Sequence, residues 1–269
     1  IRIKLSLQSL FSLRQAAAAA FRLFCTVPSK QARRPIHDLE EAEWLSHSFH
    51  GMSLQVYRLS RQGAPKLLLI HGFASQSLNF TEYIRALHKK GYEVLAFDAP
   101  GHGRSQGRQL QIPLYVEAID SISKAFGPFH NYVAHSFGGL ALAHYLEKQG
   151  DNEDYRVAFI APATETVTAI DQFFAQLQLS NRLRKEFDQH ILRISGQPAS
   201  YYSIRRAMHH IKSTIFWIHD ESDTITPIAD ALKVKEDGHL QIQWHITKGL
   251  GHRRIYREPS TLQGVIDFF

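Results

Sequence analysis

The sequence predicts an α/β protein, with a mostly parallel central sheet, helices on both of its faces and a small helical insertion. Three observations carry this. Apolar runs of about five residues, the length of fully buried strands, alternate with amphipathic stretches. The residue types that do chemistry recur just after those runs, at the edge where parallel sheets bind ligands. One connection, between Ile160 and Thr214, is about fifty residues long, far beyond the usual two to six.

The elements follow in order. Ser53–Ser60 alternates in strand fashion, and Lys66–Ile70 is a short apolar strand ending at His71-Gly72. Ser77–Lys90 reads as a helix stopped by Gly91. Glu93–Phe97 is a buried-type strand that runs into Asp98-Ala99-Pro100-Gly101. Leu114–Phe126 is helical and closes at Gly127-Pro128. Asn131–Ala134 is a strand leading to Ser136, and Gly138–Gln149 is the next helix. Arg156–Ile160, Thr214–Ile218 and Gln241–Ile246 are further strands, with helices over Pro227–Lys235 and Ser260–Phe269. Residues 164–213 place Phe173, Phe174, Leu177, Phe187, Ile191 and Tyr202 at helix-like spacings, which predicts a small helical cap over the sheet edge. The expected division is an N-terminal leader over 1–35 and one domain over 36–269 that carries the cap insertion.

The chain has 269 residues, enough for one large core, and its 44% hydrophobic and 21% charged residues are those of a globular protein. The net charge of +6 comes without any recognition-helix, RRM-like or OB-like signature, so nucleic acid is not an expected partner. A single cysteine, Cys25, excludes an internal disulfide and thiolate metal sites, and it fits a reducing, cytoplasmic setting. Residues 1–25 hold apolar side chains around the run Ala16–Ala20, interrupted by Arg14 and Arg22. No stretch approaches the roughly 20 apolar residues of a membrane span. An amphipathic helix packed on the body or used in self-association is expected there, with contact to a membrane surface as the alternative.

The chemistry centres on Ala134-His135-Ser136-Phe137-Gly138. A strand that turns sharply into a helix projects the apex residue, and small residues two before and two after let the backbone fold tightly. Ala134 departs mildly from the usual glycine, and the alternative role for Ser136 is a helix N-cap. His71-Gly72-Phe73 ends the earlier strand, so the backbone N–H groups of Phe73 and Phe137 are the natural donors to a developing oxyanion. His71 itself reads as a residue that braces the loop. A serine hydroxyl needs a base, and the base needs a carboxylate to fix its tautomer. His252, on the Gly-rich loop after the last strand, is the candidate base; His209, His210, His219 and His245 lack such a context. Asp223 is favoured as the acid because it sits in the loop before the next helix, although Asp220 and Glu221 lie close by.

These segments, with Phe97-Asp98-Ala99-Pro100-Gly101-His102-Gly103-Arg104-Ser105, resemble the α/β-hydrolase superfamily over residues from about 50 to 269. The likeness is to its bacterial esterase-like members with a small cap. It implies the α/β-hydrolase fold, a Ser136–His252–Asp223 triad and an oxyanion hole from Phe73 and Phe137. Serine at the elbow sets the chain apart from the haloalkane dehalogenases and epoxide hydrolases, which use aspartate there. The expected activity is hydrolysis of a carboxylic ester or thioester of a small to medium acyl substrate. Acyl transfer or carbon–carbon bond hydrolysis would use the same residues, and a non-catalytic binding protein on this scaffold is the reading from another class. No cofactor and no metal site is expected, since a His-Glu-x-x-His helix is missing from the sequence.

Overall fold

A computed structural model describes residues 2–28, 36–150 and 153–269. Eight strands form one sheet: β1 (Glu43–Phe49), β2 (Met52–Leu59), β3 (Lys66–Ile70), β4 (Glu93–Phe97), β5 (Asn131–His135), β6 (Arg156–Ile160), β7 (Thr214–Asp220) and β8 (Ile242–Thr247). Their spatial order is β1-β2-β4-β3-β5-β6-β7-β8. From β4 to β8 every pairing is parallel, as the sequence predicts, while β1 and β2 add an antiparallel edge.

Alternation along the buried strands divides the core between the two faces of the sheet. On β3, Leu68 and Ile70 join the cluster under helices α4 (Ile112–Phe126) and α5 (Phe137–Gln149). Leu67 and Leu69 point the other way, towards α3 (Thr81–Lys90) and α11 (Pro259–Phe268). Each face is therefore covered, which is why these strands read as continuous apolar runs.

β1 was not expected from the sequence. Only Phe49 of its seven residues is buried, so an edge strand of this kind carries little apolar signal. Its hairpin with β2 turns on His50 and Gly51, both at positive φ (48° and 72°), the backbone that a two-residue hairpin loop requires. The stretch expected as a single helix over 77–90 opens as a 3-10 turn, Ser77–Phe80, before α3 begins.

Between β6 and β7 the long connection folds as α6 (Thr166–Leu177), α7 (Asn181–Ser195), the short helix α8 (Ile204–Ala207) and 3-10 turns. The N-terminal segment is two helices rather than one: α1 (Arg2–Phe11) and α2 (Leu13–Cys25). They part at Ser12, whose side chain caps α2 by accepting from Gln15 N–H. Ala16, Ala17 and Ala20 lie fully buried in a third cluster with Phe174, Leu183 and Phe187 of α6 and α7. Alanine on that face lets the two backbones approach closely. The exit from α2 is tied to the body by Leu110 N–H donating to Cys25 O and Val27 N–H to Arg108 O.

The remaining helices are α9 (Ile228–Glu236) and α10 (Gly251–Arg254). No helix among the described residues is long and apolar enough to cross a membrane.

Candidate active site

Ser136 sits at the turn from β5 into α5 with φ 55° and ψ −125°, a region that costs a non-glycine residue of order 1–3 kcal/mol. The surroundings fix it there. Ser136 N–H donates to Ile160 O, and Ser136 O accepts from Gly139 N–H and Ala163 N–H. Gly138 passes so close to the neighbouring strand end that a Cβ would stand 2.4 Å from His71 O and 2.8 Å from Ile70 O. A Cβ on Gly72 would meet Ser136 Cβ at 2.8 Å. Ala134, in place of the usual glycine, is fully buried in the core.

The structure brings Ser136, His252 and Asp223 together. His252 Nε2 lies 2.9 Å from Ser136 Oγ, and His252 Nδ1 lies 2.8 Å from Asp223 Oδ2. The carboxylate can only accept, so the proton is on Nδ1 and the Nε2 lone pair faces the serine hydroxyl. Burial pushes the Asp223 carboxyl up. Its bond to His252 and those from Thr226 outweigh this and hold it below the usual carboxylate range. Oδ1 also accepts from the N–H groups of Ile225 and Thr226, both at 2.9 Å.

Asp220 does a different job. It accepts from Ser222 N–H (2.9 Å) and Gly251 N–H (2.8 Å) on one oxygen, and from Thr247 Oγ1 (2.7 Å) and Leu250 N–H (3.1 Å) on the other. It therefore ties down the loop that carries His252. Burial raises its pKa, but the hydrogen bonds from Gly251, Thr247, Ser222 and Leu250 lower it below the ordinary value. Glu221 is half exposed and lies 3.7 Å from Lys248 Nζ.

The loop bearing Phe73 is pinned by two neutral histidines. His71 Nε2 accepts from Ala99 N–H at 2.9 Å, and His102 Nε2 accepts from Ala74 N–H at 3.1 Å. Burial drives their pKa values down, to about 4 and about 3 respectively. The Ala74 N–H is thereby committed to His102. Phe137 opens α5, so its N–H has no partner inside that helix. Asp98 braces the same region from below by accepting from Tyr57 Oη, Ser77 N–H and Arg104 N–H.

Several contributors had no clear sequence signal. Thr226 Oγ1 lies 2.9 Å from Asp223 Oδ2 and 3.0 Å from His252 Nδ1, so it steadies the pair from the side. The His135 ring packs against His252, tilted by 39° with centroids 4.9 Å apart, and Tyr256 packs on His135 at 4.8 Å. Burial, reinforced by the nearby His252, keeps the His135 pKa well below its normal value, so an uncharged ring supports the base. Position next to the serine marks His135 in the sequence, but its contact with residue 252 depends on the fold.

A cavity of about 540 Å³ opens onto Ser136 and is lined mainly by apolar side chains, including Phe73, Phe137, Leu140 and Tyr202. Part of the wall comes from α2, through Phe21, Phe24 and Cys25, and part from α7, through Ile191 and Ile194. Among the described residues, no group of three or more His, Cys, Asp or Glu side chains is placed to hold a metal ion.

This sheet order, with a strained serine after β5 and a histidine after β8, defines an α/β-hydrolase. A sequence profile of the serine aminopeptidase S33 family matches residues 63–197, and the chain belongs to that family of α/β-hydrolases. Lysophosphatidylserine lipase ABHD12 of Danio rerio is similar to it, at 22% identity over 90% of this chain. The chain spans 64% of that relative's length. An esterase from Pyrococcus furiosus has a similar fold, with a TM-score of 0.67, 18% identity and coverage of 91% of this chain and 96% of its own. A bacterial membrane phospholipase A superposes over 99% of this chain and 94% of its own, with a TM-score of 0.63 and 18% identity.

Proposed function

We propose that the chain is a serine hydrolase that cleaves a carboxylic ester, or thioester, of an acyl substrate through an acyl-enzyme on Ser136. The observation that carries this reading is the unbroken relay from Ser136 Oγ through His252 to Asp223, with links of 2.9 and 2.8 Å. Ser136 Oγ attacks the carbonyl carbon while His252 Nε2 takes its proton. Negative charge gathers on the carbonyl oxygen, where the N–H groups of Phe73 and Phe137 stabilise it. The tetrahedral species expels the alcohol or thiol, which receives the proton from Nε2. A water then repeats the sequence on the acyl-enzyme, giving the acid and restoring Ser136. Asp223 fixes the Nδ1–H tautomer and stabilises the imidazolium formed at each attack.

The apolar cavity supports an acyl group as the buried part of the substrate, since only a few polar side chains reach into it. The lipase and esterase names among its relatives point to the same substrate class. The test is labelling by a fluorophosphonate probe together with turnover of p-nitrophenyl esters of graded chain length. Ser136→Ala is expected to abolish labelling and to lower kcat by about 10⁴-fold or more. Undiminished ester turnover by folded Ser136→Ala protein would overturn the assignment.

A further inference from the structure

The first helix is turned the wrong way round for a protein surrounded only by water. On α1, Leu5 alone points into the body at 5% exposure, among polar neighbours Gln8 and Ser9. The larger apolar stripe faces outward: Ile3, Leu7, Leu10 and Phe11 are 74%, 53%, 78% and 90% exposed. Their spacing of four, three and one residues puts them along one side of the helix. Four of the nine large hydrophobic side chains exposed among the described residues thus fall on one ten-residue element.

A second observation says what covers this stripe. Residues 1–35 hold seven basic residues, Arg2, Lys4, Arg14, Arg22, Lys30, Arg33 and Arg34, and no Asp or Glu. Residues 36–269 hold 24 Lys and Arg against 25 Asp and Glu. The positive balance of the whole chain therefore lies in this N-terminal stretch, and the rest is close to neutral. Arg14 and Arg22 are exposed on α2, next to the stripe in sequence and on the same hairpin. An apolar stripe on a basic segment that has no acid of its own is complementary to an anionic lipid surface.

We infer that the α1–α2 hairpin docks on an anionic lipid surface, with Ile3, Leu7, Leu10 and Phe11 inserted among the acyl chains and the basic residues at the headgroups. The docking is independent of the chemistry at Ser136. Its consequence rests on the reading of Ser136 as the nucleophile. Phe21, Phe24 and Cys25 on the inner side of the hairpin line the cavity, while Ile194 and Ile225 line it and are also exposed at its rim. The hairpin would then hold the cavity beside the lipid from which the acyl substrate is drawn.

The test is co-sedimentation of the full chain with vesicles, read without any activity measurement. Binding is expected to phosphatidylcholine vesicles containing about a third phosphatidylglycerol, and to weaken on pure phosphatidylcholine. It should weaken again as salt rises from about 0.1 to about 1 M, which shortens the screening length from about 10 to about 3 Å. The variant Leu7→Ser/Leu10→Ser/Phe11→Ser should lose roughly tenfold or more in vesicle affinity, because exposed side chains supply the insertion. Its far-UV circular dichroism and thermal unfolding midpoint should match the parent's, which shows that it is folded. Ser136→Ala should bind vesicles like the parent, so failure of the proposed chemistry would leave the binding result readable. Three results overturn the inference: no binding to anionic vesicles, equal binding by the triple variant, or a dimer in light scattering that the triple variant dissolves. The last would assign the stripe to a second copy of the chain.

Discussion

Two carboxylates three residues apart, Asp220 and Asp223, should respond in opposite ways to the same isosteric change. In Asp223→Asn the amide oxygen can still accept from Ile225 and Thr226 N–H, so the loop keeps its shape. The NH₂ then faces His252 Nδ1, where a donor now opposes a donor. The imidazole must place its proton on Nε2, and its lone pair no longer faces Ser136. A wrong tautomer of this kind lowers kcat by roughly 10⁴-fold, about 5 kcal/mol in the barrier. Stability should change little, because a buried charge is removed along with its partner's best bond. In Asp220→Asn a single oxygen replaces two that accept four bonds. The favourable orientation keeps Ser222 and Gly251, and Thr247 can rotate its hydroxyl to accept. Leu250 N–H then confronts an NH₂ and is left unpaired. Losing one charge-assisted bond and weakening three others costs on the order of 2–4 kcal/mol, or about 5–10 °C in Tm. Thermal unfolding and steady-state kinetics on a soluble ester separate the two. The reasoning fails if Asp223→Asn keeps kcat within about tenfold of the parent while Asp220→Asn abolishes it at a temperature where both are folded.

Other outcomes follow from the buried histidines and from the tight glycine. His71 and His144 are held at about 4 and His102 at about 3 by burial, well under the ordinary 6.5. The unfolded chain therefore binds more protons than the native state as pH falls below 6.5, and stability present above that value is lost down to about 4, by at most about 2 kcal/mol per histidine at about pH 5. Denaturant unfolding at about pH 5 and about pH 7 checks this, and equal midpoints would refute it. Gly138→Ala would drive a methyl group into two backbone carbonyls and should cost at least about 3 kcal/mol. Gly249→Ala, at φ 80° with nothing within 4 Å, should cost only about 1–2 kcal/mol, so equal losses in urea unfolding would count against the packing argument.

What the sequence makes legible here is whatever is local. The strands Lys66–Ile70, Glu93–Phe97 and Arg156–Ile160 have the bounds expected of them, because burial on both faces writes an uninterrupted apolar run. Ser136, Asp223 and His252 each follow a strand, so their candidacy needs only the strand ends and their order. What escapes is non-local or marginal. β1 buries only one of its seven residues and looks like loop. The distinct tasks of Asp220 and Asp223 depend on which carboxylate reaches residues 250–252, some thirty positions away, and spacing alone left both as candidates. Thr226 has no feature that separates it from other threonines until its hydroxyl is seen beside Asp223 and His252. The break at Ser12 is hidden because an N-cap serine and a helix-interior serine look alike within a long amphipathic stretch.

The division between local and distant parts also divides the labour of the site. The residues assigned to bond making sit on loops at the ends of β3, β5, β7 and β8, where the sheet fixes their geometry. The cavity walls come from elsewhere, from α2 near the N-terminus and from α6 and α7 between β6 and β7. These walls share one packed cluster, in which Leu5 of α1, the alanines of α2 and the phenylalanines of α6 and α7 are in contact. A cluster closed by alanines at zero exposure couples the packing of these helices to one another. A displacement of α1 would therefore be felt at Phe21 and Phe24 on the cavity wall, whereas Ser136 and His252 are held at the ends of strands. Surface contact at the hairpin would alter the shape of the cavity before it altered the chemistry, and it would be read first in KM and substrate preference rather than in the reactivity of the serine.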